Sequence, residues 1–363
     1  MTDAEDIGHA GKKLGPKERS ARPRGPEPVL AEARSIQRAA RAIRAGELVV
    51  FPTETVYGLG ADALNPEAVR RVYEAKGRPP DNPLIIHVPD ARQARRLVRL
   101  WTPSAERLAG VFWPGPLTLV LPKSPVVPGA ATAELDSIAI RVPAHPVALA
   151  LLREAKVPIA APSANRSGRP SPTRVEHARD DLGDRVAIYL DGGPTPIGVE
   201  STVVSLLGDA PVILRPGGVD REALESIIGH VEVSAPPRDG EPVRSPGLKY
   251  RHYAPEAAVF LVPPDAIEFR AKDLRALGLR VAIVASREYA PCDPDVRIPG
   301  SRDDPGAWAR ALFAILRELD QEGYDAIVVE EIPQRGIGAA VMNRLLRAAQ
   351  PRSAALFERE LGT

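Results

Sequence analysis

The chain has one cysteine, almost no net charge and no long apolar run, and each shortage removes a class of protein. Cys292 alone cannot close an intramolecular disulfide or build a thiolate zinc cage, which fits a reducing compartment. A formal net charge of +1 gives no global field toward nucleic acid or an anionic membrane, so phosphate chemistry must rest on local Lys and Arg clusters. No uninterrupted apolar stretch approaches the roughly 18–20 residues of a membrane span. A Walker loop is missing, the six histidines form no HxxxH or HExxH pair, and no internal repeat is visible. Residues 1–30 are largely polar, with scattered Gly and Pro and without the apolar centre of a secretory signal, and read as a disordered tail. A cytoplasmic location is the expectation.

What is present is enough chain for two domains: 363 residues exceed a comfortable single core. Helical spacing of Ile36, Ala39, Ala40 and Ile43 puts Arg34, Arg38 and Arg41 on the opposite, solvated face. Leu48 to Phe51 reads as a buried strand leading into Pro52-Thr53-Glu54-Thr55-Val56-Tyr57-Gly58-Leu59-Gly60, where Gly58-Leu59-Gly60 reads as a turn. Asn65-Pro66 starts a helix that ends near Lys76-Gly77. Short strands follow at Leu84–Val88, Leu117–Leu121, Ser137–Val142, Pro158–Ala161, Val186–Leu190, Thr202–Leu206 and Val212–Leu214. With few long helices between them they argue for an α/β domain on a mixed sheet over residues 31–230. Residues 231–256 read as a Pro-rich linker. Residues 257–363 alternate strand and helix as a smaller doubly wound α/β unit, with Gly336-Ile337-Gly338 as a helix entry.

Several residues suggest chemistry, each beside a structural alternative. Lys76-Gly77-Arg78 is a helix C-terminus with a dipole-matched Lys and a left-handed Gly, but a second cation between Gly and a Pro pair also suits a triphosphate. Alternation in the strand puts Ser137 and Arg141 on one face, away from Ile138, Ile140 and Val142. Arg141 needs a counter-ion: a ligand carboxylate or an internal acid. His87 shares the face of Ile85, as a ligand contact or a satisfied core histidine. Ser163 and Asn165 after a strand, Glu200-Ser201-Thr202 and Arg215 place polar groups at strand boundaries, where ligand crevices and ordinary turns both occur.

Together these residues resemble the YrdC-type threonylcarbamoyl-AMP synthase family in its long form with a C-terminal extension domain. The resemblance rests on PTETVYGLG, the KxR at Lys76 and Arg78, the SxN at Ser163 and Asn165, and the string from Ser245 to Pro255, in that order. Leu248 departs from an expected Met. The resemblance implies a YrdC-like twisted open mixed sheet with a concave basic pocket, plus a Rossmann-like accessory domain. It implies an enzyme joining L-threonine, bicarbonate or CO2 and ATP into threonylcarbamoyl-adenylate and pyrophosphate. The product would serve threonylcarbamoylation of the adenosine beside the anticodon in tRNAs reading ANN codons. By the same resemblance Thr55, His87, Arg141 and Ser201 bind threonine. Lys76, Arg78, Asn82, Ser137, Ser163, Asn165, Ser171 and Arg215 line the ATP site. Mg2+ accompanies ATP, held mainly by phosphates. No covalent nucleophile is required, because the carbamate oxygen is already anionic. Expected partners are a downstream tRNA threonylcarbamoyl-transferase complex and weak contact with tRNA, with no membrane.

Three rings, Tyr250, His252 and Tyr253, cluster beside Lys249 and Arg251 in the linker, and are expected to act as a lid that excludes water; permanent packing between domains is the alternative. Other functions are double-stranded RNA binding without catalysis, or nucleotide binding without turnover. A hydrogenase-maturation carbamoyltransferase would need cysteine-rich zinc fingers that one cysteine cannot build.

Overall fold

The computed structural model describes residues 25–235 and 252–349. Expectations for residues 1–24, for Tyr250 and for the last residues of the chain lie outside them. Eleven strands form one mixed sheet: β1 (Val29–Leu30), β2 (Val49–Phe51), β3 (Gly58–Asp62), β4 (Ile85–His87), β5 (Leu117–Pro122), β6 (Ser137–Arg141), β7 (Ile159–Ala160), β8 (Ile188–Asp191), β9 (Thr202–Ser205), β10 (Val212–Arg215) and β11 (Glu232–Val233). Their spatial order is β1-β8-β2-β3-β7-β4-β6-β5-β9-β10-β11. A second sheet, wholly parallel, comprises β12 (Ala258–Val262), β13 (Val281–Val284), β14 (Val296–Arg297) and β15 (Ala326–Glu330), in the order β12-β15-β13-β14.

Local chemistry accounts for the element that leads to the site. Asn65 caps the helix Pro66–Lys76 by accepting from the N–H groups of Glu67 and Ala68 at 3.0 and 3.2 Å. Proline occupies its first turn, and Gly77 ends it at φ 60°, ψ 39°, the left-handed conformation glycine adopts without a Cβ penalty.

In β6 the alternation separates two packing environments. Ile138 and Ile140 enter the main core, while Ala139 joins Ile85, Val120 and Val203 in a small cluster on the other face. Ser137 and Arg141 share that second face.

Three expectations need correction. Gly58-Leu59-Gly60 is not a turn but most of β3, paired antiparallel with β2. Glycine at 60 answers a packing demand: an added Cβ would stand 2.8 Å from the Phe51 ring and 2.9 Å from Ile159. The expected tail is too long, since Val29–Leu30 pair in parallel with β8 and Arg179 holds Gly25 and Glu27. The linker begins later than residue 231, because Glu232 and Val233 extend the sheet beside β10.

The accessory domain packs directly onto the domain of the larger sheet. Val56 and Val199 belong to the same apolar cluster as Trp308, Leu312, Phe313 and Val341. At Gly198 (φ +85°) an added Cβ would lie 2.1 Å from the Ala309 carbonyl oxygen, so backbone meets backbone there. Arginines cross the boundary, among them Arg317 and Arg344. Arg317 donates to Asp181 at 2.7 Å and Arg344 to Glu200 at 2.7 Å, with all four side chains buried. Arg34, Arg38 and Arg41 are exposed, as a solvated helix face requires. Among the described residues no helix is long and apolar enough to cross a membrane.

Candidate functional site

The parallel register of β4 and β6 builds the floor of a pocket. Ile85 lies beside Ala139 and His87 beside Arg141. The turn between β2 and β3 closes over them. Thr53 Oγ1 donates to the Val56 carbonyl at 2.6 Å and accepts from the Thr55 and Val56 N–H groups, a hydroxyl-closed turn. That turn fixes Glu54 and Thr55 against Arg141, whose Nη2 donates to Glu54 Oε1 at 2.6 Å and Nη1 to Thr55 Oγ1 at 3.0 Å. Arg141 Nε donates to the Gly115 carbonyl at 3.2 Å. The strand arginine's counter-ion is thus an internal acid from the PTETVYGLG motif. Each Nη still carries a further N–H, a fork suited to a ligand carboxylate. Burial alone would raise the Glu54 carboxyl, but the charge and hydrogen bond of Arg141 hold it below its ordinary value. Glu54 Oε2 and His87 Nδ1 are buried without a partner among the described residues. Burial, reinforced by Arg141, keeps His87 neutral, with its pKa lowered to about 3.

Pro162, Ser201, Glu200 and Arg215 complete the wall. Ser201 Oγ and Thr118 Oγ1 lie 2.8 Å apart, and Arg215 Nη2 donates to the Ser201 carbonyl at 2.9 Å and its hydroxyl at 3.2 Å. The four predicted threonine contacts, Thr55, His87, Arg141 and Ser201, therefore share one pocket with Arg215. A larger cavity of about 440 Å³ lies at the domain boundary, lined in part by Arg174, Thr195, Arg310 and Glu318, and holds none of the predicted residues. The smaller one has the chemistry.

Of the predicted ATP residues, Arg215 lines the threonine pocket itself, Lys76 joins Ser163 and Asn165, and Arg78 joins Asn82. Lys76 is buried and its ammonium donates to the carbonyls of Ser163 and Asn165. Burial drives its pKa well below the ordinary value, and the Arg78 charge adds to this. Arg78 donates to the Asn82 and Pro83 carbonyls, both at 3.1 Å, leaving Nε buried and unpartnered among the described residues. Asn82 is fully buried, with both ends of its amide unpartnered among the described residues. Ser163 Oγ donates to Asn165 Oδ1 at 2.6 Å, and Ser171 Oγ to Glu200 Oε1 at 2.5 Å. Ser137 is buried at the head of β6, opposite Pro122.

Of the linker rings, His252 and Tyr253 are described and buried. Tyr253 stacks on Phe313 with ring centroids 5.5 Å apart, and Ala254 N–H donates to the Gly168 carbonyl at 2.8 Å. Burial first, then the nearby charges of Arg78, Arg347 and Lys76, lowers His252 to about 3.

Sequence reasoning missed Glu54 as the partner of Arg141 and missed Arg344 and Arg317 altogether. Glu54 had a signal, an acid inside the motif; the two arginines had none.

Buried Arg141 and Arg215, with the hydroxyls of Thr53, Thr55 and Ser201 around one pocket on a mixed sheet, define an α/β protein with a cation-lined crevice. Comparison with known proteins narrows this. The family model Sua5/YciO/YrdC, described as "Telomere recombination", matches residues 41–217. The model for the threonylcarbamoyl-AMP synthase C-terminal domain matches residues 219–350. The threonylcarbamoyl-AMP synthase of Bacillus subtilis is 47% identical over 321 residues, spanning 86% of this chain and 92% of its own. That of Schizosaccharomyces pombe is 41% identical over 346 residues, spanning 83% and 84%. A crystal structure of Pyrococcus abyssi Sua5 complexed with L-threonine has a TM-score of 0.83 and 46% identity, covering 86% of this chain and 94% of that one. The chain belongs to the threonylcarbamoyl-AMP synthase family, in its two-domain form.

Proposed function

We propose that this chain makes L-threonylcarbamoyladenylate and pyrophosphate from L-threonine, bicarbonate or CO2 and ATP. The observation that carries this reading is the Arg141–Glu54–Thr55 constellation beside His87, a carboxylate-sized receptor whose remaining N–H groups fit an amino-acid carboxylate. The threonine amine takes up CO2, or bicarbonate with loss of water, to give a carbamate. A carbamate oxygen then attacks the α-phosphorus of ATP as the bond to the pyrophosphate oxygen breaks. The chain's task is to bring two anions together and offset their repulsion, which Arg141, Arg215, Lys76 and Arg78 are placed to do. The acids at the pocket, Glu54 and Glu200, are already paired with Arg141 and Arg344. Mg2+ therefore enters as part of the MgATP substrate, held by phosphates and water.

The linker acts as a lid over this site. The threonine pocket encloses about 40 Å³, far below the roughly 300–1,000 Å³ of a typical ligand pocket. Loading both substrates needs an element that moves, and the described end of the linker lies against Phe313 through Tyr253 and against Gly168 through Ala254. The product serves tRNA modification through a downstream transferase complex, with tRNA contact weak.

Mass spectrometry of a reaction holding threonine, bicarbonate and MgATP tests the reading. One pyrophosphate per threonylcarbamoyl-AMP is expected without RNA. Pyrophosphate release that ignores threonine would overturn it.

A further inference from the structure

Glu200 is a puzzle within this reading. A buried carboxylate in the wall of a pocket for anions should repel them. Its two oxygens show how that is avoided. Oε1 accepts the Ser171 hydroxyl at 2.5 Å, and Oε2 accepts Nε of Arg344 at 2.7 Å. Arg344 comes from the helix Gly338–Ala349 of the accessory domain and is fully buried. It donates as well to the Pro216 carbonyl at 2.9 Å, and its guanidinium lies 5.3 Å from the Tyr253 ring centroid. One side chain thus touches the pocket acid, the loop after β10 and the linker. That loop is pressed on the same wall, since a Cβ on Gly217 would lie 2.3 Å from the Glu200 carbonyl oxygen.

We infer that Arg344 is a positioning residue for substrate binding: reaching in from the accessory domain, it neutralises Glu200 and locks that carboxylate toward Ser171, so the pocket keeps a positive field for anionic substrates. The inference rests on the function proposed above. It makes the accessory domain part of the site's electrostatics. Burial would otherwise raise the Glu200 carboxyl; the charges of Arg344 and Arg215 keep it below its ordinary value and hence ionised.

The test is steady-state pyrophosphate release by the full chain, with threonine titrated at saturating MgATP, for Arg344→Gln, Glu200→Gln and the double variant. Arg344→Gln should raise the threonine KM about tenfold or more, the worth of a hydrogen bond to a charged group, with a smaller change in kcat. Glu200→Gln removes the repelling charge at the cost of the Ser171 contact, and should raise that KM clearly less than Arg344→Gln does; the double variant should follow Glu200→Gln. A purely structural pair would instead make all three lose stability and kcat together with KM unmoved. The inference is overturned by that result, by a folded Arg344→Gln with parental KM, or by Glu200→Gln raising KM as much as Arg344→Gln. Should Arg344→Gln not fold, the double variant decides: a KM matching that of Glu200→Gln supports the inference and a KM raised about tenfold overturns it. Threonine-independent release by the parent protein is a separate outcome, which removes the functional reading itself.

Discussion

Two buried arginine–carboxylate pairs, one inside the pocket and one at the domain boundary, differ in what they leave unused. At the boundary, Asp181 is saturated: Oδ1 accepts Arg169 at 2.8 Å, and Oδ2 accepts Arg317 at 2.7 Å and the Arg166 N–H at 3.3 Å. In the pocket, Glu54 keeps one oxygen without a partner among the described residues, and Arg141 keeps an N–H on each Nη. Both pairs sit out of water, where an unmet polar atom is costly. The seam carboxylate is satisfied on both oxygens, although Arg317 Nε has no partner among the described residues; the pocket carboxylate is not. A satisfied acid is a fastening, whereas an open acid beside open N–H groups leaves room for a ligand.

The largest way to break the comparison is at the seam. Arg317→Ala leaves buried Asp181 with Arg169 alone as its charged partner and Oδ2 with only the Arg166 N–H, and should cost up to about 3 kcal/mol of stability, read as a lower denaturant midpoint, while threonine KM of the folded protein stays parental. A parental midpoint would make the seam pair dispensable.

Lys76→Ala and Arg78→Ala should each cut turnover about 10²-fold or more, the usual worth of one pre-organised charged donor at developing negative charge. Folded variants with near-normal pyrophosphate release would unseat the triphosphate assignment. Arg141→Ala should chiefly raise the threonine KM, by about tenfold to a hundredfold, because the carboxylate receptor is lost and Glu54 is bared. An unchanged threonine titration would turn that pair into a second fastening.

Acid touches seam and site together. Burial lowers His87, His177 and His252 each to about 3 from an ordinary 6.5. The unfolded chain therefore takes up their protons first. Their contribution to stability is full above about pH 6.5 and is lost progressively as pH falls toward 3. Thermal midpoints measured across that window should fall, and His252→Gln should flatten part of the slope. A midpoint that is level down to pH 4 would contradict the burial of these rings.

Much of this was legible in the sequence where the chemistry is local. Asn65-Pro66 and Gly77 mark both ends of their helix, and the alternation in Ser137–Arg141 sorts its two faces. Buried runs such as Val281–Val284 and Ala326–Val329 reveal the accessory sheet, the second strand running one residue further, to Glu330. What stayed hidden depends on partners far along the chain. Gly58-Leu59-Gly60 looks like a turn until Phe51 and Ile159 are placed against Gly60. Glu54 meets Arg141 across 87 positions and Glu200 meets Arg344 across 144; no local spacing encodes either. The three linker rings announced packing of some kind, but that Tyr253 would choose Phe313 is a property of the assembled fold.

The packing of Val56 and Val199 into the cluster around Trp308 and Phe313, with the bare backbone contact at Gly198, has a consequence for how the molecule comes apart. The two halves have separate sheets but share one apolar cluster. Loosening the accessory half would uncover Val56, one residue beyond Thr55, so the two are expected to come apart together. Calorimetry should record a single cooperative endotherm for both.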